Sequence, residues 1–199
     1  MHKITTYLNQ HKIDYAILSG KYDNVSLQTE VKEFKPDLDI VLSCNRNLFI
    51  ENIKHDTAYQ QIEENTFLDI ENKIRIDFYF KTLNVGYYHY LNIDKQSFVQ
   101  KEVSETEYIL YQILDPLLKF SRYHNRHQFR LKAYFKNGIS TEIKNSLRDI
   151  VGKKLTNQLL EKISKDDFNF NKSFIRRCKC SMLFINGNFV KMLKARIFS

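Results

Sequence analysis

Pro36-Asp37-Leu38-Asp39-Ile40-Val41-Leu42-Ser43 decides the reading of this chain. Proline disfavours helix just before it, and the alternation that follows has the period of a strand. Leu38, Ile40 and Leu42 share one face, while Asp37, Asp39 and Val41 share the other. Aspartate is a poor strand former and its charge is costly to desolvate. Two aspartates about 7 Å apart on one strand face repel each other unless a cation lies between them. A hard divalent ion removes that conflict. Magnesium, or manganese in its place, keeps coordination positions open for phosphate oxygens.

A third carboxylate stands in Ile74-Arg75-Ile76-Asp77-Phe78-Tyr79-Phe80, where the even positions are apolar and face a core. Asp77 falls on the opposite face with Arg75 and Tyr79. If this strand pairs beside the first, Asp37, Asp39 and Asp77 converge on one site. That arrangement suits two-metal phosphoryl chemistry, in which one ion activates the attacking hydroxyl and the other steadies the triphosphate and the leaving pyrophosphate. Asp77 is the better candidate for the ion nearest the nucleophile.

Outward from these strands, residues 3–12 read as a helix and Tyr15–Leu18 as a buried strand ended by Ser19-Gly20. Asn45–Ile53 reads as a short helix. Tyr59–Glu64 and Thr66–Glu71 read as strands, with a turn at Asn72-Lys73 before the third carboxylate's strand. Ser104-x-x-Glu107 is a capping-box pattern that starts a helix, with Val103 and Tyr108 as a staple; Pro116 should kink or interrupt it. Arg126–Asn137, Thr141–Ser164 with a break at Gly152, 172–185 and 188–197 read as further helices. The order is α/β first and helical afterwards: a core over 1–100 and a basic helical region over 101–199.

Charge follows the same division. Residues 1–100 carry 11 Lys/Arg and 14 Asp/Glu, a net −3; residues 101–199 carry 20 and 9, a net +11. An acidic part can hold metal and a basic part can face anions. No run is long enough to span a bilayer and the first residues form no apolar leader core, so a cytoplasmic protein without a membrane span is expected. Cys44, Cys178 and Cys180 form no disulfide framework.

Strand, glycine, loop, Asp-x-Asp and a later hydrophobic strand bearing one Asp together resemble the polymerase-beta-type nucleotidyltransferase superfamily. The segments that carry the resemblance are Ile17-Leu18-Ser19-Gly20-Lys21, Asp37-Leu38-Asp39-Ile40-Val41 and Ile76-Asp77-Phe78. It covers roughly residues 14–81 and extends to the stand-alone nucleotidyltransferase-like proteins encoded with bacterial polysaccharide-synthesis genes. The resemblance implies an α+β fold: a mixed sheet of the nucleotidyltransferase type with flanking helices, followed by a helical C-terminal part. It implies that Asp37 and Asp39 ligate metal, that Asp77 completes the site, and that the turn of Ser19, Gly20 and Lys21 approaches phosphate. The superfamily usually follows this glycine with Ser or Gly. Lys21 therefore either contacts phosphate itself or marks a loop that has given up nucleotide.

The function this implies is metal-dependent transfer of a nucleoside monophosphate from a nucleoside triphosphate to a hydroxyl acceptor. A sugar, a lipid-linked glycan, RNA or a protein side chain would serve as acceptor; nucleic acid is not favoured. The alternative is an inert binding or regulatory module on the same fold. A third reading takes Pro36-Asp37 with Glu71-Asn72-Lys73 as a restriction-type nuclease signature, but Lys73 falls at a turn and Asp39 and Asp77 stay unexplained. In the basic half, Arg122, Arg126 and Arg130 are spaced to share a helix face. Arg126 and Arg130 are the candidates for binding nucleotide or an anionic acceptor. His124-x-x-His127 reads as a solvated or anion-facing pair without a third zinc ligand. Tyr87, Tyr88 and Tyr90 read as packing residues rather than a stacking platform.

Overall fold

Chemically opposite faces are what organise the first half of the fold. The structure is a computed structural model that describes residues 3–18, 37–85, 88–136 and 138–185. Strand β2 (Asp37–Leu42) runs parallel to β5 (Ile74–Phe80), with Asp37 opposite Arg75, Leu38 opposite Ile76, Asp39 opposite Asp77 and Ile40 opposite Phe78. β1 (Tyr15–Ile17) pairs antiparallel with β2, and β4 (Thr66–Asp69) antiparallel with β5. β3 (Tyr59–Glu63) lies at the far edge, giving the order β1-β2-β5-β4-β3. The mixed sheet with its helices makes the protein α+β.

The parallel pair needs a crossover, since two parallel neighbours cannot be joined by a tight turn. Helix α2 (Arg46–Lys54) and the β3–β4 hairpin supply it. The Asn45 side chain starts α2 by accepting from the Asn47 and Leu48 amides, at 3.0 and 3.3 Å. α2 and helix α1 (Lys3–Gln10) then cover one sheet face. Ile4 and Leu8 of α1 and Phe49, Ile50 and Ile53 of α2 share a buried cluster with Leu38, Ile40, Leu42, Phe67, Ile76 and Phe78. Asp39, Asp77 and Arg75 stand on the opposite face, away from this core.

The chain forms two compact units, Met1–Leu83 with Asn92–Glu105, and Asn84–Leu91 with Thr106–Ser199. Strands β6 (Thr82–Val85) and β7 (Tyr88–Asn92) and helix α3 (Lys95–Gln100), capped by Asp94, have no counterpart in the sequence reading. The second unit is built on α4 (Glu105–Lys119), whose residues Glu107 to Leu118 are all buried. Of the two outcomes expected at Pro116, a kink or an interruption, the interruption does not occur: α4 runs through it. Phe120 N still bonds the Pro116 carbonyl at 3.0 Å, so the helical path continues past the missing proline donor. Burial on every side supplies more than one lost backbone bond costs.

Helices α5 (Asn125–Phe135), α6 (Thr141–Val151), α7 (Lys153–Ser164) and α8 (Lys172–Ile185) complete the second unit. The break between α6 and α7 falls at Gly152, as expected. Its φ of 85° favours glycine, and a Cβ there would meet only Ser181 Oγ at 3.6 Å. Backbone conformation, more than space, therefore selects glycine. Residues 188–197 lie outside the described residues. Among the described residues, no helix is long and apolar enough to cross a membrane.

Phe78 is 2% exposed and packs edge-on to Phe49 and Phe67, with ring centroids at 4.8 and 5.8 Å. Phe78→Ala should cost about 3–5 kcal/mol of stability, measured by chemical denaturation.

Candidate functional site

On the sheet face opposite α1 and α2, the parallel register sets Asp39 beside Asp77 and Asp37 beside Arg75. Neighbouring strands lie about 4.8 Å apart, so Asp39 and Asp77 stand side by side on this face. Asp37 is exposed; Asp39 and Asp77 are half-buried. Tyr79, two residues beyond Asp77, reaches back so that its hydroxyl lies 3.4 Å from Asp39 Oδ1. Ser19, Gly20 and Lys21 lie outside the described residues.

Two residues not singled out in the sequence as site members shape Asp77. Thr66 is its antiparallel neighbour on β4 and donates its hydroxyl to Asp77 Oδ1 at 2.5 Å. Arg75 Nε lies 3.3 Å from the same oxygen, and Arg75 Nη2 lies 3.7 Å from Glu63 Oε1. Burial works to lower the Arg75 pKa, but Asp77, then Glu63 and Asp37, raise it above the ordinary value. The guanidinium thus supplies positive charge among carboxylates that would otherwise repel one another. Sequence reading placed Arg75 on this face but had no way to see its aim. Thr66 carried no signal at all, because its role depends on the β4–β5 register.

The donors on this face are hard carboxylate oxygens, which suit magnesium or manganese. As the side chains stand, Asp77 is shared with Arg75. Among the described residues no three His, Cys, Asp or Glu side chains are grouped to hold a metal ion. Carboxylate oxygens on neighbouring strands are the donor type a divalent cation takes, and a cation there would have to displace Arg75 from Asp77.

The nuclease alternative loses its geometry. Lys73 sits in the turn before β5 with φ 55°, and Glu71 bonds Lys3 at 2.9 Å. The Cys-x-Cys pair is divided as well, with Cys178 buried in α8 and Cys180 exposed.

In the second unit, α5 begins at Asn125, so Arg122 lies outside the helix and only Arg126 and Arg130 share its face. His127 is not solvated, contrary to expectation, but 5% exposed. Its Nδ1 lies 3.0 Å from Gln112 Oε1 and its Nε2 lies 3.3 Å from Arg126 Nε. Burial, and then Arg126, Arg130, His124 and Lys119, push its pKa down to about 3. Tyr90 is a packing residue, buried with its hydroxyl 2.9 Å from Asp115 Oδ1. Tyr87 lies outside the described residues.

Comparison with family models, with curated proteins and with solved structures finds no match to this chain.

Two measurements bear on these networks. Arg75→Gln should melt below wild type in low salt without divalent ions, with a gap that narrows in high salt as the carboxylates are screened. His127 contributes through its depressed pKa. Its neutral form is matched in folded and unfolded states above about 6.5, the ordinary value. Below that, the unfolded chain takes up a proton that the folded chain refuses, down to about pH 3. The contribution is therefore present above pH 6.5 and lost as pH falls. Urea unfolding should show wild type losing about 1 kcal/mol between pH 7.5 and 5.5 from this group, a slope absent from His127→Gln.

Proposed function

We propose that the chain transfers a nucleoside monophosphate from a nucleoside triphosphate to a hydroxyl acceptor, at the carboxylate face of β2 and β5. The observation that carries this reading is the in-register pairing of Asp39 with Asp77 on parallel neighbours, with Asp37 on the same face. Sheets seldom set two aspartates side by side, because like charges directly opposite are destabilising. A site that must gather cations and phosphate gives a reason for that cost.

Asp37, Asp39 and Asp77 would hold the divalent ion. When bound, it would draw negative charge off the triphosphate and favour ionisation of the acceptor hydroxyl. The acceptor oxygen attacks the α-phosphorus, the bond to the pyrophosphate oxygen breaks, and the hydroxyl proton is lost to a carboxylate or to solvent. Thr66 fixes the Asp77 carboxylate by donating to Oδ1. Tyr79 does the same for Asp39, more weakly at 3.4 Å. Arg75, once released from Asp77, stays on this face as a cation able to face phosphate.

A second reading has a specific observation behind it. Arg75 engages Asp77 and Glu63, so an internal guanidinium supplies charge that a metal would otherwise bring. That favours a nucleotidyltransferase-type domain kept as a binding or regulatory module. An acceptor such as a sugar or lipid-linked glycan, and work beside polysaccharide-synthesis enzymes, follow only from the resemblance of the sequence.

Protein, magnesium, each nucleoside triphosphate and a panel of hydroxyl acceptors should release pyrophosphate. Asp39→Asn and Asp77→Asn should lower the rate by more than the roughly 10–100-fold typical of losing an outer-shell partner, and Thr66→Val by about that amount. Wild type that binds triphosphate yet releases no pyrophosphate with any acceptor would favour the module.

A further inference from the structure

We propose that a cavity between α7 and α8 binds an adenine nucleotide, with Gln158 reading the edge of the base and Arg177 meeting the phosphate. The cavity lies wholly within the second unit and has a volume of about 400 Å³. Small-molecule sites span roughly 300–1,000 Å³.

Its walls follow from helical spacing. Gln158, Glu161, Lys162 and Lys165 recur at i, i+3, i+4 and i+7, so they share one polar face of α7 and its C-cap. Leu159, Leu160 and Ile163 are buried on the core side of the same helix. The chain then turns, and α8 begins after Asn171, whose Oδ1 accepts from the Phe174 amide at 2.8 Å. Phe174 and Arg177, three residues apart on α8, line the cavity together with Phe170 of the connecting loop.

Three observations specify the occupant. Gln158 Oε1 is buried and accepts no hydrogen bond. An unpaired buried oxygen is costly, and Gln158 lines a space that a ligand N–H can enter. Arg177 is oriented by a ring, its guanidinium carbon lying 5.8 Å from the Phe174 centroid. An aromatic face holds a guanidinium without neutralising it and leaves its in-plane donors for phosphate. The two acids of the cavity are taken by other cations, Glu161 by Lys165 at 2.6 Å and Asp167 by Lys162. Among the described residues, no carboxylate forms an ion pair with Arg177. Lastly, Phe170 and Phe174, with centroids 5.1 Å apart, supply ring surface that a planar base can cover.

The amide and the base match in detail. Glutamine pairs with adenine through two bonds: Oε1 accepts from the 6-amino group and Nε2 donates to N7. Hypoxanthine carries a carbonyl oxygen in place of that amino group, so its edge offers two acceptors. Turning the amide over does not help, because one acceptor always faces Oε1.

This site is separate from the proposed transfer reaction, since no carboxylate of β2 or β5 takes part. Calorimetric titration of the full chain with adenosine monophosphate, in metal-free buffer, should show binding in wild type and in Asp39→Asn alike. A failed pyrophosphate assay and a failed cavity are therefore read separately. Inosine monophosphate should bind at least about tenfold more weakly, and so should adenosine, each lacking one of the two polar anchors. Gln158→Leu should lose the preference for adenosine over inosine monophosphate. Arg177→Ala should weaken adenosine monophosphate by about tenfold and leave adenosine unchanged. Arg176→Ala, exposed on the same helix and outside the cavity lining, should change neither.

The comparison of ligands needs no variant, so it decides the matter even where Gln158→Leu fails to fold. A wild type that ignores adenosine monophosphate, or binds inosine monophosphate as tightly, would overturn the base reading. Inorganic phosphate binding as well as the nucleotide would reduce the site to an anion contact and overturn the nucleotide. Unchanged binding by Arg177→Ala would overturn the phosphate role.

Discussion

The register of β2 against β5 is the constraint on which the first unit depends. On one face it stacks Leu38 on Ile76, Ile40 on Phe78 and Leu42 on Phe80. On the other it stacks Asp37 on Arg75 and Asp39 on Asp77. The strand period of two ties these outcomes together. A slip by one residue would carry Asp77 into the cluster of Phe49, Phe67 and Ile40, where an unpaired carboxylate costs several kcal/mol. The hydrophobic face thus fixes the register, and the carboxylate pair follows. The core's preference outweighs the repulsion on the far side, which Arg75 and the Thr66 hydroxyl ease.

That hierarchy explains what could be read from the sequence. β2 and β5 were legible because alternation at period two is strong in both segments and because aspartate in a strand is costly enough to notice. α2 and the break at Gly152 were legible from Asn45 and from glycine chemistry. β6, β7 and α3 were not. Tyr88–Asn92 mixes aromatic and polar residues without a clean alternation, and α3 is only six residues long, too short for a helical period to emerge. Pro116 does not break α4 because the burial of the helix around it outweighs the local penalty of proline.

The candidate site was legible in its carboxylates and opaque in their partners. Asp37, Asp39 and Asp77 announce themselves by residue type within apolar strands. Thr66 and the aim of Arg75 depend on which strands pair and on which rotamer an arginine adopts, and neither has a signature in one sequence. His127 shows the same limit from the other side. A histidine three residues from another, among arginines, reads as solvated, yet Gln112 reaches it across 15 positions of sequence and makes it a buried neutral acceptor.

The two units handle charge in opposite ways. On the β2–β5 face, acids are brought together and an arginine is set among them. In the second unit, Arg126 and Arg130 stand one turn apart on α5, and His127 and Gln112 are among their partners. An ion held beside its counter-ion costs less to bury than one without, and Arg75 takes that place beside Asp77. Arg75 is tied to Asp77 and Glu63 by contacts of 3.3 and 3.7 Å rather than by a tight bidentate pair, so a cation entering this face would compete with a weak ion pair and not with a strong one.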